Sequence, residues 1–231
     1  DLAKNVFHVV GLDQRNKEVL KKKLKRCDVL PFFQKLEATD VAMEACSGAH
    51  YWGRELEKQG HRVKLIPPRA VKPYVQGNKN DYSDALAIAE ASKRPKLRLV
   101  KVKTVPDQDR QALHRLREGA TQQRTQLCNQ VRGLLREYGV LPPLRVSGLM
   151  KAIPMILEDL ENGLSDDFRA LLSETYQQLM EVTGHIEAYQ KRIVVASRAD
   201  EVEKRLQTIP GFGPVVSSAY HAAIGDGQAF R

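Results

Sequence analysis

The chain has 231 residues, 42% of them hydrophobic, and a net charge of +9, which suits a soluble globular protein of one large domain or two small ones. It lacks an apolar run of the ~18 residues that span a membrane, a signal-peptide pattern and closely paired cysteines, so we expect a cytoplasmic protein without a disulfide framework or a zinc site. Residues 1–145 hold 29 Lys and Arg against 16 Asp and Glu (net +13), whereas residues 146–231 hold 8 against 12 (net −4); the first part is therefore expected to bind a polyanion such as nucleic acid.

The first predicted element is a strand from Asp1 through about Leu12, with Asp1 on one face and His8 on the other. A polar turn at residues 13–17 and a second strand over residues 18–25 complete a hairpin. Lysines crowd the second strand, among them Lys21, Lys22 and Lys23. These side chains either protect an exposed sheet edge from pairing with another chain or follow the phosphates of a bound nucleic acid.

Alternating helices and strands are predicted next. A short helix over residues 30–36 precedes a strand that carries Glu44 on the face opposite its apolar residues. Ser47 is expected to cap a helix over residues 48–59, and a further strand is expected around residues 63–65. The sequence therefore predicts a mixed α/β structure for this part of the chain.

Two aspartates three positions apart, Asp81 and Asp84, open an Ala-rich helix over residues 79–91. Since three residues are close to one helical turn, both carboxylates project from the same face, and the helix N-terminus stabilises each of them. Asp1 and Glu44 differ from this pair, because a carboxylate in an apolar strand is costly unless it is paired or bound to a cation. The four carboxylates together form a candidate site for two divalent ions.

Four stretches of the sequence are distinctive: residues 1–4 (DLAK), 43–52 (MEACSGAHYW), 65–74 (LIPPRAVKPY) and 79–85 (KNDYSDA). Their order and spacing resemble those of the DEDD transposases of the insertion-sequence 110 family, including its 1111 subgroup. The resemblance extends over essentially the whole chain.

The resemblance implies a ribonuclease-H-like (RuvC-like) domain over residues 1–103, a coiled-coil region over residues 104–200 and the start of a helical C-terminal transposase domain over residues 201–231. It implies that four carboxylates are catalytic and bind Mg²⁺ or Mn²⁺ as two ions: Asp1, Glu44, Asp81 and Asp84. It also implies attack on DNA by a serine beyond Arg231, active sites shared by two subunits, and target choice guided by a structured RNA. The chain is thus expected to be an internal fragment of a longer transposase, inactive by itself.

Two long helices are predicted after Val105, joined through a short helix around residues 149–160. In the first, a seven-residue repeat is formed by Leu113, Ala120, Leu127 and Leu134. In the second, Ser165 is the predicted cap, and steps of four and three connect Phe168, Leu172, Thr175, Leu179, Val182, Ile186, Tyr189 and Ile193. Such repeats are typical of a coiled-coil seam, although Gly184 disfavours an unbroken second helix by about 1 kcal/mol. The hairpin packs on itself or on a second subunit, and the resemblance links it to a homo-oligomer, a dimer or a tetramer.

Further nucleic-acid contacts are predicted along the chain. Lys79 is the first residue of the acidic helix, and Arg115, Arg124 and Arg132 lie on the first long helix, where they either bind phosphates or form a solvated surface. Residues 206–216 look like a helix-hairpin-helix turn, in which backbone N–H groups at two glycines approach phosphates: Gly211 and Gly213. A plain interhelical turn is the alternative for this stretch.

The function predicted from these features is that of an insertion-sequence transposase, a DNA recombinase that cleaves and exchanges strands with bound metal ions. Two alternatives use the same residues. A metal-dependent junction nuclease would use the four carboxylates to activate water. A non-enzymatic module would bind nucleic acid and assemble through the coiled coil.

Overall fold

The computed structural model describes residues 1–75, 80–225 and 227. These residues form two compact units, unit 1, which includes residues 1–108, and unit 2, residues 109–223. The domain boundaries predicted after residues 103 and 200 stay predictions. Over the described ranges, no helix combines the length and the apolarity needed to cross a membrane.

Unit 1 is a mixed α/β structure, as the sequence predicts. Its strands, within the described residues, are β1 (Val6–Leu12), β2 (Glu18–Lys25), β3 (Asp40–Glu44) and β4 (Arg62–Ile66). Its helices there are α1 (Val29–Gln34), α2 (Ala49–Lys58), the short α3 (Pro68–Val71) and α4 (Asp81–Ala91). Helix α3 is absent from the sequence prediction; it begins at Pro68, a first helical position where proline is favoured because no backbone donor is needed.

Strand β1 starts at Val6, so the prediction that Asp1 begins this strand is wrong. Residues 2–5 reverse the chain direction, and Asp1 lies alongside β1. The backbone N–H of His8 donates to the Asp1 carbonyl at 3.3 Å, and the α-amino group of Asp1 donates to the His8 carbonyl at 2.8 Å. This reciprocal exchange makes Asp1 and His8 an antiparallel pair, whose side chains lie on the same face.

The strands in the described part of unit 1 form two separate two-stranded sheets. Strands β1 and β2 form the predicted hairpin, with His8 opposite Lys23, and β3 and β4 pair in parallel, with Glu44 opposite Ile66. A cavity of about 500 Å³ is lined by residues of both β1 and β3. The single sheet of a ribonuclease-H-like domain stays a prediction.

The largest apolar cluster in unit 1 packs the sheets against α1 and α2. Phe7, Phe33, Met43 and Trp52 are among its buried residues. The rings of Phe7 and Trp52 meet edge to face with their centroids 4.9 Å apart, a favourable aromatic geometry. This cluster covers the face of β1 that carries Phe7. The opposite face, which carries His8, packs against α4.

Helix α2 begins differently from the prediction. Gly48 is its N-cap residue and has φ +86°, a conformation that glycine adopts without steric cost. The expectation that Ser47 caps this helix is therefore wrong. The physical reason is that the chain must turn sharply after β3, and the left-handed glycine that makes the turn also occupies the capping position.

Unit 2 is helical. Its helices are α5 (Val105–Glu137), α6 (Val146–Glu158), α7 (Asp166–Ala199), α8 (Glu201–Leu206) and α9 (Pro214–Ile224). Helices α5 and α7 run antiparallel: Tyr138, just after α5, stacks on Phe168 at the start of α7 with ring centroids 4.4 Å apart. At the opposite end, Arg110 Nη2 of α5 lies 2.7 Å from Oδ2 of Asp200, which follows α7.

Helix α7 starts at the predicted cap, where Ser165 Oγ accepts from the Phe168 N–H at 3.2 Å. The helix continues unbroken through Gly184.

The predicted apolar repeat matches the buried stripe of α7, whereas on α5 the predicted positions are half-buried at Leu113, Ala120 and Leu127 and exposed at Leu134. The buried residues of α7 include Phe168, Leu172, Leu179, Val182, Ile186 and Ile193. On α5 the buried residues are Cys128, Val131 and Leu135, whereas Leu134 is 44% exposed. The same inward stripe continues toward the start of α5 through half-buried polar side chains, which an apolar repeat does not reveal: Arg110, His114, Arg117, Thr121 and Arg124. A coiled coil between subunits stays a prediction.

Replacing Gly184 by alanine is expected to raise the free energy of unfolding by about 1 kcal/mol. A Cβ built at this position of α7 meets no atom within 4 Å, so alanine gains helix propensity without a clash. Thermal unfolding followed by circular dichroism measures the change. Gly53→Ala in α2 is the matched comparison and is expected to destabilise, because its Cβ would lie 2.9 Å from a Val102 methyl group. A fall in stability for Gly184→Ala would contradict the expectation.

Candidate metal centre

The two aspartates of α4 occupy its first turn. Asn80 is the N-cap residue, since its side-chain oxygen accepts the Tyr82 N–H at 3.0 Å. Asp81 and Asp84 follow directly, at positions where the helix dipole stabilises negative charge. Helix α4 packs against both β1 and β3. Both aspartates therefore lie at the N-terminal end of a helix that packs on these two strands.

Asp1, His8 and Asp81 form a group of potential metal ligands. One ligand atom from each residue lies within 4.8 Å of the other two. His8 Nδ1 is 3.4 Å from Asp81 Oδ2, and it is buried without a hydrogen-bond partner. Carboxylate oxygens and an imidazole nitrogen arranged in this way could hold a divalent ion.

Glu44 and Asp84 lie close to this group but outside its 4.8 Å limit. The carboxylates of Asp84, Glu44 and Asp81 lie near enough to the backbone nitrogen of Asp1 for their negative charges to act on it. Burial, followed by the charge of Glu44, raises the pKa of the Cys46 thiol. That the four carboxylates are catalytic metal ligands stays a prediction.

His8 is the residue that sequence interpretation missed. Read as one strand, the segment places Asp1 and His8 on opposite faces, because they are seven positions apart and successive side chains alternate between the faces. The structure pairs them across neighbouring segments, which directs both side chains to one face. The Tyr82 ring adjoins this face, edge to face with His8 at a centroid distance of 4.7 Å. No turn signal of glycine or proline marks the reversal at residues 2–5.

A family model of DEDD transposases of the IS110 type, described as "Transposase", matches residues 1–140. The chain belongs to this transposase family. A probable family 20 transposase of Pseudomonas aeruginosa is 41% identical over 232 residues, which cover 100% of this chain and 69% of the relative. The transposases for IS1111A of Coxiella burnetii and IS1328 of Yersinia enterocolitica are 37% and 34% identical; each alignment covers 100% of this chain, with 64% and 68% of the relatives. The chain thus spans about two thirds of the length of these proteins.

The three predicted phosphate-binding lysines of β2 lie on two different faces of the hairpin. Lys21 Nζ lies 4.6 Å from the centroid of the Tyr82 ring, next to the acidic start of α4. Lys23 pairs with His8 across the hairpin, and so lies on the same face. Lys22 points to the other side, with its Nζ 5.1 Å from the Phe32 ring centroid. Two of the three predicted phosphate-binding lysines therefore adjoin the candidate metal centre.

The other cationic side chains that are predicted to contact nucleic acid differ in how exposed they are to a ligand. Arg115 is exposed, whereas Arg124 Nε is buried without a hydrogen-bond partner. Arg132 donates to the backbone carbonyls of residues 143 and 144 after α5, which fixes its guanidinium against the chain. Lys79 lies outside the described residues. Binding of nucleic acid by these residues stays a prediction.

An interhelical turn joins α8 to α9 and contains the two predicted glycines. Gly211 has φ +87°, and Gly213 directly precedes α9. A Cβ built at either glycine meets no atom within 4 Å, so the backbone there is open to a close neighbour. Contact between this turn and phosphates stays a prediction.

A second group of potential metal ligands, Asp200, Glu203 and His221, lies in unit 2. Arg110 contacts both carboxylates, with Nη2 2.7 Å from Asp200 and Nε 3.1 Å from Glu203. Its Nη1 lies 3.1 Å from His221 Nδ1, and the same ring nitrogen lies 3.4 Å from Asp200 Oδ2 and 3.5 Å from Glu203 Oε1. The guanidinium already supplies the positive charge that a metal ion would bring. We therefore interpret this group as a structural ion cluster.

Lowering the pH below about 6.5 is expected to destabilise unit 2 through His114. Burial lowers the pKa of His114, with smaller effects of Arg117 and Arg110 in the same direction and of Glu203 in the opposite one; its Nε2 lies 3.0 Å from Ser218 Oγ. The folded state then binds fewer protons than the unfolded state between the two pKa values, so stability increases with pH through that window and is lost as pH falls. Denaturant unfolding at several pH values measures this dependence. His114→Gln is expected to weaken it, and an unchanged pH profile in that variant would contradict the assignment.

Proposed function

We propose that the chain carries the metal-dependent DNA-cleaving domain of an insertion-sequence transposase that acts as a recombinase. The observation that supports this proposal is the approach of carboxylates from separate segments to the start of α4. One ligand atom each of Asp81, Asp1 and His8 lies within 4.8 Å of the other two. Glu44 and Asp84 lie near enough for their charges to act on the backbone nitrogen of Asp1. Such convergence of anions is costly without a cation to balance it.

The residues that would hold Mg²⁺ or Mn²⁺, as two ions, are Asp1, Glu44, Asp81 and Asp84. Bound ions would polarise the scissile phosphate and stabilise charge on its oxygens. The protein itself would keep the carboxylates in place, since Asn80 caps α4 and the helix dipole favours the anionic form of its first-turn aspartates. Lys21 and Lys23, on the same face, would orient the DNA backbone by contacts to its phosphates.

Partners of the whole protein follow from the family proposal. DNA is the substrate, a structured RNA guides target choice, and the helices of unit 2 assemble a dimer or tetramer. A serine outside this chain attacks the phosphate, and the reaction takes place in the bacterial cytoplasm. Since the chain spans about two thirds of the relatives' length, these statements concern the longer protein.

Calorimetric titration of the chain with Mg²⁺ and Mn²⁺ tests the site. The unmodified chain is expected to bind metal, and the Asp81→Asn, Asp84→Asn double variant is expected to lose this binding. Glu37→Gln with Glu57→Gln is the matched control, because it removes two exposed carboxylates of unit 1 outside the site. A folded chain that binds neither ion, or equal binding by the site variant, would refute the metal centre.

A further inference from the structure

His8 is a buried polar side chain with one ring nitrogen left unsatisfied. The residue is 6% exposed, and its Nδ1 has no hydrogen-bond partner. A buried polar atom without a hydrogen-bond partner destabilises the folded state. A ligand that bonds to Nδ1 would remove this cost.

The atoms around Nδ1 are those that bind a cation. Asp81 Oδ2 lies 3.4 Å away, and an Asp1 carboxylate oxygen completes a group spanning no more than 4.8 Å. Three ligand atoms each about 2.1 Å from one ion cannot all be more than about 3.6 Å apart. Since the separations in this group are at most 4.8 Å, a contraction on the order of 1 Å would bring all three atoms to one ion.

The side chains of His8 and Asp81 differ in conformational freedom. His8 is fixed by burial and by the edge-to-face contact of its ring with Tyr82. The Asp81 side chain is 60% exposed and can change rotamer at low cost. The exposed Asp81 side chain can thus supply part of the required contraction, while the histidine is already in place.

We propose that His8 is a nitrogen ligand of the metal ion held by Asp1 and Asp81. This proposal rests on the proposed function and adds a ligand that the four-carboxylate motif does not contain. A simpler role is a hydrogen bond from Nδ1–H that positions Asp81. The present distance of 3.4 Å, without hydrogen-bond geometry, favours a ligand role, because an ion between the two atoms accounts for the gap.

A nitrogen ligand changes the metal preference of the site. Mg²⁺ takes oxygen ligands almost entirely, whereas transition-metal ions accept imidazole readily. His8 is therefore expected to increase the affinity for Mn²⁺ while contributing little to that for Mg²⁺. An all-carboxylate centre would show no such dependence on His8.

Pulsed electron paramagnetic resonance of Mn²⁺ bound to the chain tests the ligand directly. Histidine labelled with ¹⁵N in its ring identifies an imidazole by the change in nuclear coupling, and separates it from the Asp1 amine. His8→Phe keeps an aromatic ring against Tyr82, and His8→Asn places an oxygen near the position of Nδ1. His221→Asn, in the ion cluster of unit 2, is the matched control for the other candidate site.

Imidazole coupling is expected in the unmodified chain and in His221→Asn, and is expected to disappear in both His8 variants. The Mn²⁺ affinity of His8→Phe should fall by about 10-fold or more, with a change below about threefold for Mg²⁺. His8→Asn gives the same spectroscopic test if His8→Phe does not fold.

Bound Mn²⁺ without imidazole coupling, or coupling that persists in the His8 variants, would overturn the ligand role and leave the carboxylate centre standing. A folded, unmodified chain that binds no Mn²⁺ would overturn both proposals. Circular dichroism of each variant establishes that the chain is folded.

Discussion

Asp81→Asn is expected to lower the rate of DNA strand cleavage on the order of 1,000-fold in a complete transposase that contains this chain. Asp81 is the residue of α4 whose carboxylate lies nearest the potential ligands Asp1 and His8. Metal ions contribute several kcal/mol to the stabilisation of transition-state charge, and about 4 kcal/mol corresponds to a 1,000-fold change in rate. Single-turnover cleavage of a labelled DNA substrate measures the effect.

Two controls separate this effect from a loss of binding or folding. Binding of the same DNA, measured by mobility shift, should change little, because we propose that phosphate contacts by lysines, and not Asp81, supply the affinity. Glu37→Gln, which removes one exposed carboxylate away from the site, should cleave at the unmodified rate. Cleavage by Asp81→Asn within tenfold of the unmodified rate would exclude this residue from the metal centre.

Arg110→Met is expected to lower the free energy of unfolding of unit 2 by about 3–5 kcal/mol. The guanidinium contacts Asp200 at 2.7 Å and Glu203 at 3.1 Å, and the Glu203 side chain is only 1% exposed. Methionine fills a similar volume but leaves this buried carboxylate without its guanidinium partner. Urea denaturation followed by circular dichroism measures the loss.

The control for Arg110 lies on the same helix. Arg115 is exposed, and Arg115→Met is expected to change stability by no more than about 0.5 kcal/mol. Adding Glu203→Gln to Arg110→Met should recover part of the stability, since it removes the unpaired charge. Equal effects of the two arginine variants would mean that the ion cluster contributes nothing to folding.

The sequence predicts the carboxylates of the candidate site but not its geometry. The aspartates of α4 follow from helix periodicity, which is local and regular. The place of His8 depends on a reversal of the chain between Asp1 and Val6, and residues 2–5 contain no glycine or proline to signal it. Which face a strand residue occupies can be predicted only when the strand's start is known.

In unit 2, too, the sequence predicts the buried positions of one helix better than those of the other. The inward residues of α7 are mostly apolar, so their spacing alone predicts the buried stripe. The inward positions near the start of α5 are arginines, a histidine and a threonine, whose burial depends on partners distant in sequence. Gly184 disfavours a continuous α7 by only about 1 kcal/mol, and packing along both neighbouring stretches of the helix outweighs this local cost.

The inward side chains of α5 are charged or polar near its start and apolar near its end. This difference affects which end of unit 2 is expected to open first. At the end that holds Cys128, Val131 and Leu135, separation of the helices exposes apolar surface to water and is opposed by the hydrophobic effect. At the end that holds Arg110 and Glu203, entering water hydrates the separated ions at once. We therefore expect local unfolding to start at the charged end, where α8 and α9 pack, while the apolar end of the bundle remains closed.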